Sequence, residues 1–213
     1  MLHKIPDEII RVGCNMEEYL YLKDLEQRKI YLSREISSLD DEDGINEYLS
    51  DIGQIIKFII DINDQDRKLP PEDRKPIKIY INSPGGNVSE GFPLVSAIEL
   101  SKTPVYTINI GTWASMAFLI GIAGHKRFAL PHTEFLLHEG QLFTVGTVGS
   151  VQDTVDFNKR YKEEVIKTHI LKHSKMVSEE YDATSRRENY MLPKDALKYG
   201  FIDEIVDNID TIL

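Results

Sequence analysis

The segment at residues 105–124, VYTINIGTWASMAFLIGIAG, constrains the fold more than any other part of this 213-residue chain. β-Branched residues are frequent from Val105 to Ile110, which predicts a buried strand. The pattern breaks at Gly111 and resumes as an apolar helix, rich in small residues, over 115–123. A strand that runs directly into a helix is typical of a parallel α/β sheet, and it places Ser115 on the turn between the two elements.

This position gives Ser115 the exposure that a nucleophile needs. It also places the serine beside the first amides of the helix, including that of Met116, which have no partner within the helix and can bind an anion. A serine hydroxyl is inert near neutral pH without a base. His138 ends a short strand-like run, FLLH, and is followed at once by Glu139 and Gly140. Chemistry in α/β proteins favours the carboxyl ends of strands, so we predict that Ser115 and His138 act together in acyl transfer.

A second apolar strand, at residues 77–81, runs into the sequence NSPGGN before a helix predicted over 89–101. Adjacent glycines allow the backbone to approach a substrate closely. The amide of Gly86 is therefore a candidate second donor, opposite Met116, for a developing oxyanion. The alternative is a tight turn that needs glycine only for its positive φ.

The other histidines suggest no chemistry of this kind. His169 and His173 are spaced i, i+4 on a long polar helix, a spacing that can hold a metal ion. No cysteine or third histidine lies nearby in the sequence, which favours a solvated helix face. We therefore predict no metal site and no cofactor bound by this chain.

Charge and composition exclude several functions. A formal net charge of −10 without a basic cluster argues against nucleic acid as a partner. The single cysteine, Cys14, cannot form an internal disulfide, which suits a reducing compartment. The longest apolar run, residues 116–124, is far shorter than the roughly 20 residues of a membrane span, and no signal peptide is evident. We expect one soluble, cytoplasmic domain.

The remaining segments continue the alternation of predicted strands and helices. Residues 29–32 and those near Phe128 and Phe135 read as strands, residues 46–60 as an amphipathic helix, and the charged stretch 61–75 as an exposed loop. A long charged helix is predicted over 151–175, after a Gly, Thr and Val-rich stretch at 140–149. This helix has little apolar surface, which favours a pairing element between subunits over an ordinary packed helix.

Three blocks between residues 79 and 140, IYINSPGGNVSEGF, GTWASMAFLIGIAG and KRFALPHTEFLLHEG, closely resemble the proteolytic subunit of the Clp protease, a self-compartmentalising serine peptidase. Weaker similarity extends to residues 24–32, 187–191 and 196–203. The resemblance implies an α/β fold, the ClpP/crotonase-like ββα spiral with a protruding helix-strand handle at 140–175. It also implies a single peptidase domain at 29–213 and an N-terminal segment, 1–28, that faces an axial pore.

The same resemblance assigns roles to residues. Ser115 becomes the nucleophile, His138 the general base, and the amides of Gly86 and Met116 the oxyanion hole. The family places an aspartate third in the triad, where this chain has Glu188, one methylene longer. Loss of the orienting carboxylate costs about 10⁴ in turnover in other serine proteases. On this basis Glu188→Asp is expected to keep or raise activity.

The resemblance also implies partners. The chain has no G-x-x-x-x-G-K-[ST] motif, so a separate AAA-type unfoldase must use ATP to deliver unfolded protein substrates. The family assembles as two stacked heptameric rings of the proteolytic subunit. Its unfoldases dock in apolar pockets at subunit boundaries. The matching positions here are Tyr80, Leu100, Ile108, Phe128 and Val206.

Two other functions remain open from the sequence. One is a catalytically weak or inactive subunit that regulates a mixed ring, suggested by Glu188, Arg186 and Trp113, which could either pack in the core or narrow the substrate pocket. The other is a crotonase-type CoA enzyme, which shares the spiral and a paired-amide oxyanion hole but relies on carboxylates. The combination of Ser115 with His138 argues against the second.

Overall fold

A mainly parallel sheet organises the part of the chain that the computed structural model describes, residues 15–37 and 52–213. Its main path is β1-β2-β3-β4-β7, with all neighbours parallel. β5 pairs with the far end of β3, and β6 runs antiparallel to β5. The strands are β1 Lys29–Leu32, β2 Ile77–Ser83, β3 Val105–Ala114, β4 Lys126–Ala129, β5 Glu134–Leu137, β6 Asn189–Met191 and β7 Glu204–Ile205.

Helices connect and cover these strands. The α-helices are α1 Met16–Glu26, α2 Ile52–Gln65, α3 Val88–Leu100, α4 Met116–Ile122, α5 Val148–Tyr161, α6 Thr168–Lys172, α7 Ser178–Thr184 and α8 Pro193–Tyr199. A π-helical segment, Lys162–Lys167, joins α5 and α6 into one long helix. In the described residues, the helices are too short or too polar to cross a lipid bilayer.

Both faces of the sheet carry apolar side chains, as expected where strands are parallel. Ile77, Ile79 and Ile81 of β2 are fully buried in the main core, together with every residue of α4. Tyr80, which lies between them on β2, belongs instead to a second and smaller apolar cluster. The near-continuous apolar pattern of these segments therefore reflects burial on two sides.

Only the later part of the stretch at 61–75 is the exposed segment that its charge predicts, since residues 67–73 are exposed and the residues before them are not a loop. α2 continues to Gln65, since Ile62 extends its buried stripe. Asp66 is only 1% exposed and accepts two hydrogen bonds from Arg28, at 2.6 and 2.8 Å, and one from Thr103 at 2.9 Å. This pair ties the end of α2 to the start of β1, and the Arg28 guanidinium holds the pKa of Asp66 below its ordinary value.

Gly111 does not end β3, which runs on to Ala114. The β2–β3 register shifts between Ile81 and Ser83, and there Asn82 Oδ1 accepts from the Thr112 amide at 3.0 Å. A Cβ atom at Gly111 would lie 2.2 Å from that oxygen. The glycine is therefore needed for the close approach of Asn82, and not to break the strand.

The handle region is only partly as expected. The long helix begins at Val148, and none of the residues of α5 is buried. The preceding residues, 141–147, form no strand within the described part of the chain, and Leu142, Phe143 and Val145 are exposed. A strand requires a partner to pair with, and the described residues of one chain supply none here.

Two sequence predictions fall partly outside the described residues. Of the helix predicted over 46–60, only the part from Ile52 onward is described. Of the N-terminal segment 1–28, the structure describes residues 15–28, where α1 packs beside β1. Its proposed position at an axial pore stays a prediction.

Candidate active site

Ser115 lies on a strained turn between β3 and α4. Its φ is 53° and its ψ is −121°, a left-handed conformation that side-chain-bearing residues rarely adopt. The turn is held by a hydrogen bond from the Ser115 amide to the Leu136 carbonyl, at 2.9 Å, which links it to β5. A sharp turn from a strand into a helix presents the serine hydroxyl at the sheet edge, the geometry of a nucleophile elbow.

The glycine loop after β2 packs directly on this elbow. A Cβ atom at Gly85 would lie 2.5 Å from the Ala114 carbonyl oxygen and 2.8 Å from both the Met116 amide nitrogen and the Ser115 Cβ. Gly85 and Gly86 have φ values of +92° and +139°. Both contact and conformation therefore demand glycine, so the alternative of a turn that needs glycine only for its positive φ does not describe Gly85.

The backbone amide of Gly86 takes no part in the hydrogen bonds that join its loop to Ile36. Ile36 donates its amide to the Gly85 carbonyl and accepts from the Asn87 amide, each at 2.7 Å. In such a parallel bridge the amide of the middle residue points to the other side. Met116 opens α4, so its amide has no acceptor within that helix. The two predicted oxyanion donors thus belong to segments that touch at the elbow.

His138 reaches the same sheet edge by strand register. β5 pairs with the end of β3 at Ala114 and Leu136, and His138 follows β5 directly. Glu188 directly precedes β6, whose Asn189 pairs with Leu137. The register of these two strands places Glu188 beside His138 although 50 residues separate them, and His138 Nδ1 lies 3.0 Å from Glu188 Oε1.

The other imidazole nitrogen is free. His138 Nε2 is buried and has no hydrogen-bond partner among the described residues. When Nδ1 donates its proton to Glu188, Nε2 carries the lone pair that a general base uses. Ser115 Oγ makes no hydrogen bond within residues 15–37 and 52–213. Glu188 therefore orients the imidazole of His138 in a structure in which Ser115 and His138 are not hydrogen-bonded to each other. Such contacts often tighten only when substrate binds.

Trp113 packs beneath the site. Its ring is fully buried and meets Phe135 edge-on at 5.5 Å between centroids. A Cβ atom at Gly121 would lie 2.4 Å from the indole, so α4 rests directly on it. The structure therefore favours the packing role for Trp113 over a role in the substrate pocket.

Glu139, the residue after His138, forms a hydrogen bond with the long helix. Lys162 donates to Glu139 at 2.7 Å, and this hydrogen bond lowers the pKa of the Glu139 carboxyl. The loop that carries the imidazole is thereby connected to the handle.

Four of the five positions predicted for unfoldase docking come together. Tyr80, Ile108, Phe128 and Val206 form the smaller apolar cluster together with Ile212. The Tyr80 hydroxyl donates to the Ile212 carbonyl, and burial, with smaller effects from Tyr31 and Asp24, raises the pKa of Tyr80 to about 12. Leu100 is not part of this cluster, since it is 81% exposed at the end of α3.

The structure brings together one group of residues that the sequence does not predict, namely Glu99, His169 and His173. The interpretation of His169 and His173 as a solvated helix face is wrong, because His169 is only 6% exposed. Both rings face Glu99, which lies 70 residues before His169 on α3. Only the i, i+4 spacing signalled the pair, and no local pattern points to Glu99.

Comparison with known proteins gives a consistent result. The model of the Clp protease family matches residues 68–209, which include every candidate site residue. ATP-dependent Clp protease proteolytic subunit 2 of Rhodococcus jostii (strain RHA1) is 29% identical over 196 residues, 91% of each chain. The ATP-dependent Clp protease proteolytic subunit of Streptococcus mutans serotype c (strain ATCC 700610 / UA159) is 38% identical over 146 residues, 64% of this chain and 71% of that protein.

Proposed function

Because this chain belongs to the Clp protease family, we propose that it is the proteolytic subunit of an ATP-dependent protease and a serine endopeptidase. The observation that carries the proposal is the His138–Glu188 contact, with a free, buried Nε2, at the same sheet edge as the strained Ser115 elbow. The substrate class is unfolded polypeptide, delivered by a partner.

The proposed chemistry follows the geometry. Ser115 Oγ attacks the scissile carbonyl carbon while His138 Nε2 takes its proton, and Glu188 stabilises the imidazolium that forms. The amides of Gly86 and Met116 donate to the resulting oxyanion. The tetrahedral intermediate then collapses, the C–N bond breaks, and His138 returns the proton to the leaving amine. Water, activated by the same imidazole, hydrolyses the acyl-enzyme and restores the serine.

The alternatives are less well supported. A catalytically silent subunit was suggested by the longer carboxylate of Glu188, yet this carboxylate lies within hydrogen-bonding distance of His138. A crotonase-type CoA enzyme would have no use for an imidazole with a free nitrogen beside a serine elbow.

Assembly into a chamber is part of the proposal. α5 buries none of its own residues, and its first residue, Val148, is exposed, as are the apolar residues Leu142, Phe143 and Val145 just before it. An apolar surface of this kind favours contact with another subunit. We propose a homo-oligomer of two stacked heptameric rings, located in the cytoplasm, in which residues 140–175 join the rings.

The sequence has no nucleotide-binding motif, so the proposed ATP-dependent function needs a separate ATPase partner. We propose that an AAA-type unfoldase docks on the smaller apolar cluster around Tyr80. The four predicted docking residues in this cluster are each at most 6% exposed, so docking requires Ile212, which belongs to the same cluster, to move aside. Leu100 would then be supplied by the neighbouring subunit, which would account for its exposure within one chain.

A fluorophosphonate probe tests the catalytic proposal. We expect the assembled protein to be labelled, Ser115→Ala to lose labelling and peptide hydrolysis, and Ser96→Ala, a control on α3, to keep both. Labelling that persists in Ser115→Ala, or its absence from an assembled particle, would contradict a serine peptidase. Native mass spectrometry tests the architecture separately, with a mass near fourteen subunits expected and a stable monomer excluding the chamber.

A further inference from the structure

Three metal-ligating side chains converge where α6 meets α3. Glu99 Oε1 lies 3.2 Å from His169 Nδ1 and 2.6 Å from His173 Nε2. One ligand atom from each of the three residues lies within 4.8 Å of the others. The group uses none of the residues of the proposed catalytic site.

The hydrogen bonds of His169 are incompatible with a neutral ring. Its Nε2 lies 2.9 Å from the Leu119 carbonyl oxygen, while its Nδ1 faces the carboxylate of Glu99. A neutral imidazole has one N–H, so either tautomer directs a lone pair at an oxygen. The arrangement therefore needs either a second proton on a ring that is only 6% exposed or a cation bound between Nδ1 and the carboxylate.

A cation between Nδ1 and the carboxylate removes this conflict. Nε2–H can then donate to the Leu119 carbonyl, which fixes the tautomer and turns Nδ1 toward the ion. A backbone carbonyl in this position is a common outer partner of metal-bound histidines. We propose that Glu99, His169 and His173 form a binding site for a divalent transition-metal ion, of which zinc fits best.

The separation of Glu99 and His169 suits tetrahedral zinc. Bonds of about 2.0–2.1 Å separate neighbouring ligand atoms by roughly 3.3 Å. The 3.2 Å between Glu99 Oε1 and His169 Nδ1 already matches, and the 2.6 Å contact to His173 must open by about 0.7 Å. The side chains of Glu99 and His173 are 25% and 17% exposed, so both have room for this adjustment.

Lys172 and the adjoining groove define the rest of the site. Lys172 donates to Glu99 Oε2 at 2.9 Å, which leaves Oε1 as a single-oxygen ligand. A groove lined in part by His125 and Arg127 opens at His173 and gives water access to the fourth position. Bound zinc would join the long helix to α3, and thereby fix the base of the handle against the sheet.

Zinc titration of the full chain, stripped of metal by a chelator, tests this site. We expect one zinc ion per chain by equilibrium dialysis and elemental analysis, and a rise in Tm of about 5–10 °C at a hundredfold excess over Kd. Cobalt(II) should give the intense visible absorption of a tetrahedral site. His173→Gln and Glu99→Gln should each weaken zinc binding at least tenfold, and the exposed His132→Gln should not change it.

The opposite results would overturn the proposal. They are a parent chain that binds no zinc at saturating concentration, or folded His173→Gln and Glu99→Gln variants that bind as tightly as the parent. Circular dichroism checks that the variants fold. If neither folds, the cobalt(II) spectrum of the parent decides, because an octahedral, aquo-like spectrum would exclude the site.

Discussion

Replacement of Glu188 by alanine tests how much the third member of the proposed triad contributes. Glu188 Oε1 makes a 3.0 Å contact with His138 Nδ1, but its side chain is 58% exposed. Where a buried carboxylate is removed from such a triad, turnover falls about 10⁴-fold. Glu188 is more exposed to solvent than such a buried carboxylate. Water can therefore replace part of its interaction with His138, and we expect a smaller loss of turnover.

The size of the loss follows from the contact. A hydrogen bond to a charged group contributes about 1.5–3 kcal/mol, and solvent exposure places this one toward the lower end. At 1.36 kcal/mol per factor of ten, we expect kcat to fall about 10- to 100-fold. KM should stay nearly constant, because Glu188 orients the imidazole and does not touch substrate in the proposed mechanism.

Glu188→Asp distinguishes geometry from charge. Shortening the side chain by one carbon–carbon bond withdraws the oxygen by about 1.5 Å, beyond hydrogen-bonding distance of His138 unless the loop moves. We therefore expect Glu188→Asp to lose activity almost as fully as Glu188→Ala, opposite to the expectation from sequence resemblance.

Steady-state hydrolysis of a fluorogenic peptide by assembled protein measures these effects. Glu179→Gln, which removes one exposed carboxylate elsewhere, is the matched control and should match the parent. A Glu188→Ala variant that assembles normally and keeps kcat within about twofold of the parent would refute the assignment of Glu188 to the triad.

Three further substitutions test other parts of the structure. Asp66→Asn leaves Arg28 without its charge partner and should cost about 3 kcal/mol in the free energy of unfolding, measured by urea denaturation. Because the folded pKa of Asp66 is lowered, this contribution is present above about pH 4 and is lost as the pH falls through the folded value, so a gap between parent and variant that stayed constant into acid would contradict it. Gly85→Ala should displace the glycine loop from the elbow and lower kcat about 10²- to 10³-fold, the effect of losing one oxyanion donor; an unchanged kcat would show that this loop supplies none. Trp113→Phe should cost about 1–3 kcal/mol in stability and leave cleavage preference unaltered in peptide-library digests, whereas an altered preference would place the indole in the substrate pocket.

The local sequence pattern was enough to predict the structure where a single helix or strand is concerned. β1 has the predicted bounds, and α3 and α4 begin and end within one residue of their predicted positions. The turn that carries Ser115 was predicted because a strand, a turn and a helix follow one another in the sequence. The family model matches residues 68–209, a range that contains the three blocks on which the resemblance was based.

Sequence reasoning failed where a distant residue decides the local structure. Asp66 looks like a loop residue until Arg28, 38 positions earlier, is brought to it by β1. Gly111 looks like a strand breaker because Asn82 is on another strand. Glu188 could be named only by resemblance, since the β5–β6 register that places it beside His138 has no signature of its own.

The conformation of Ser115 carries a thermodynamic consequence. A non-glycine residue at φ 53° costs on the order of 1–3 kcal/mol, which the surrounding packing must offset. Glycine would relieve that cost and, at the same time, delete the hydroxyl. Selection for a sturdier chain and selection for a working one therefore oppose each other at this position, and a descendant released from catalysis would be expected to drift toward glycine there.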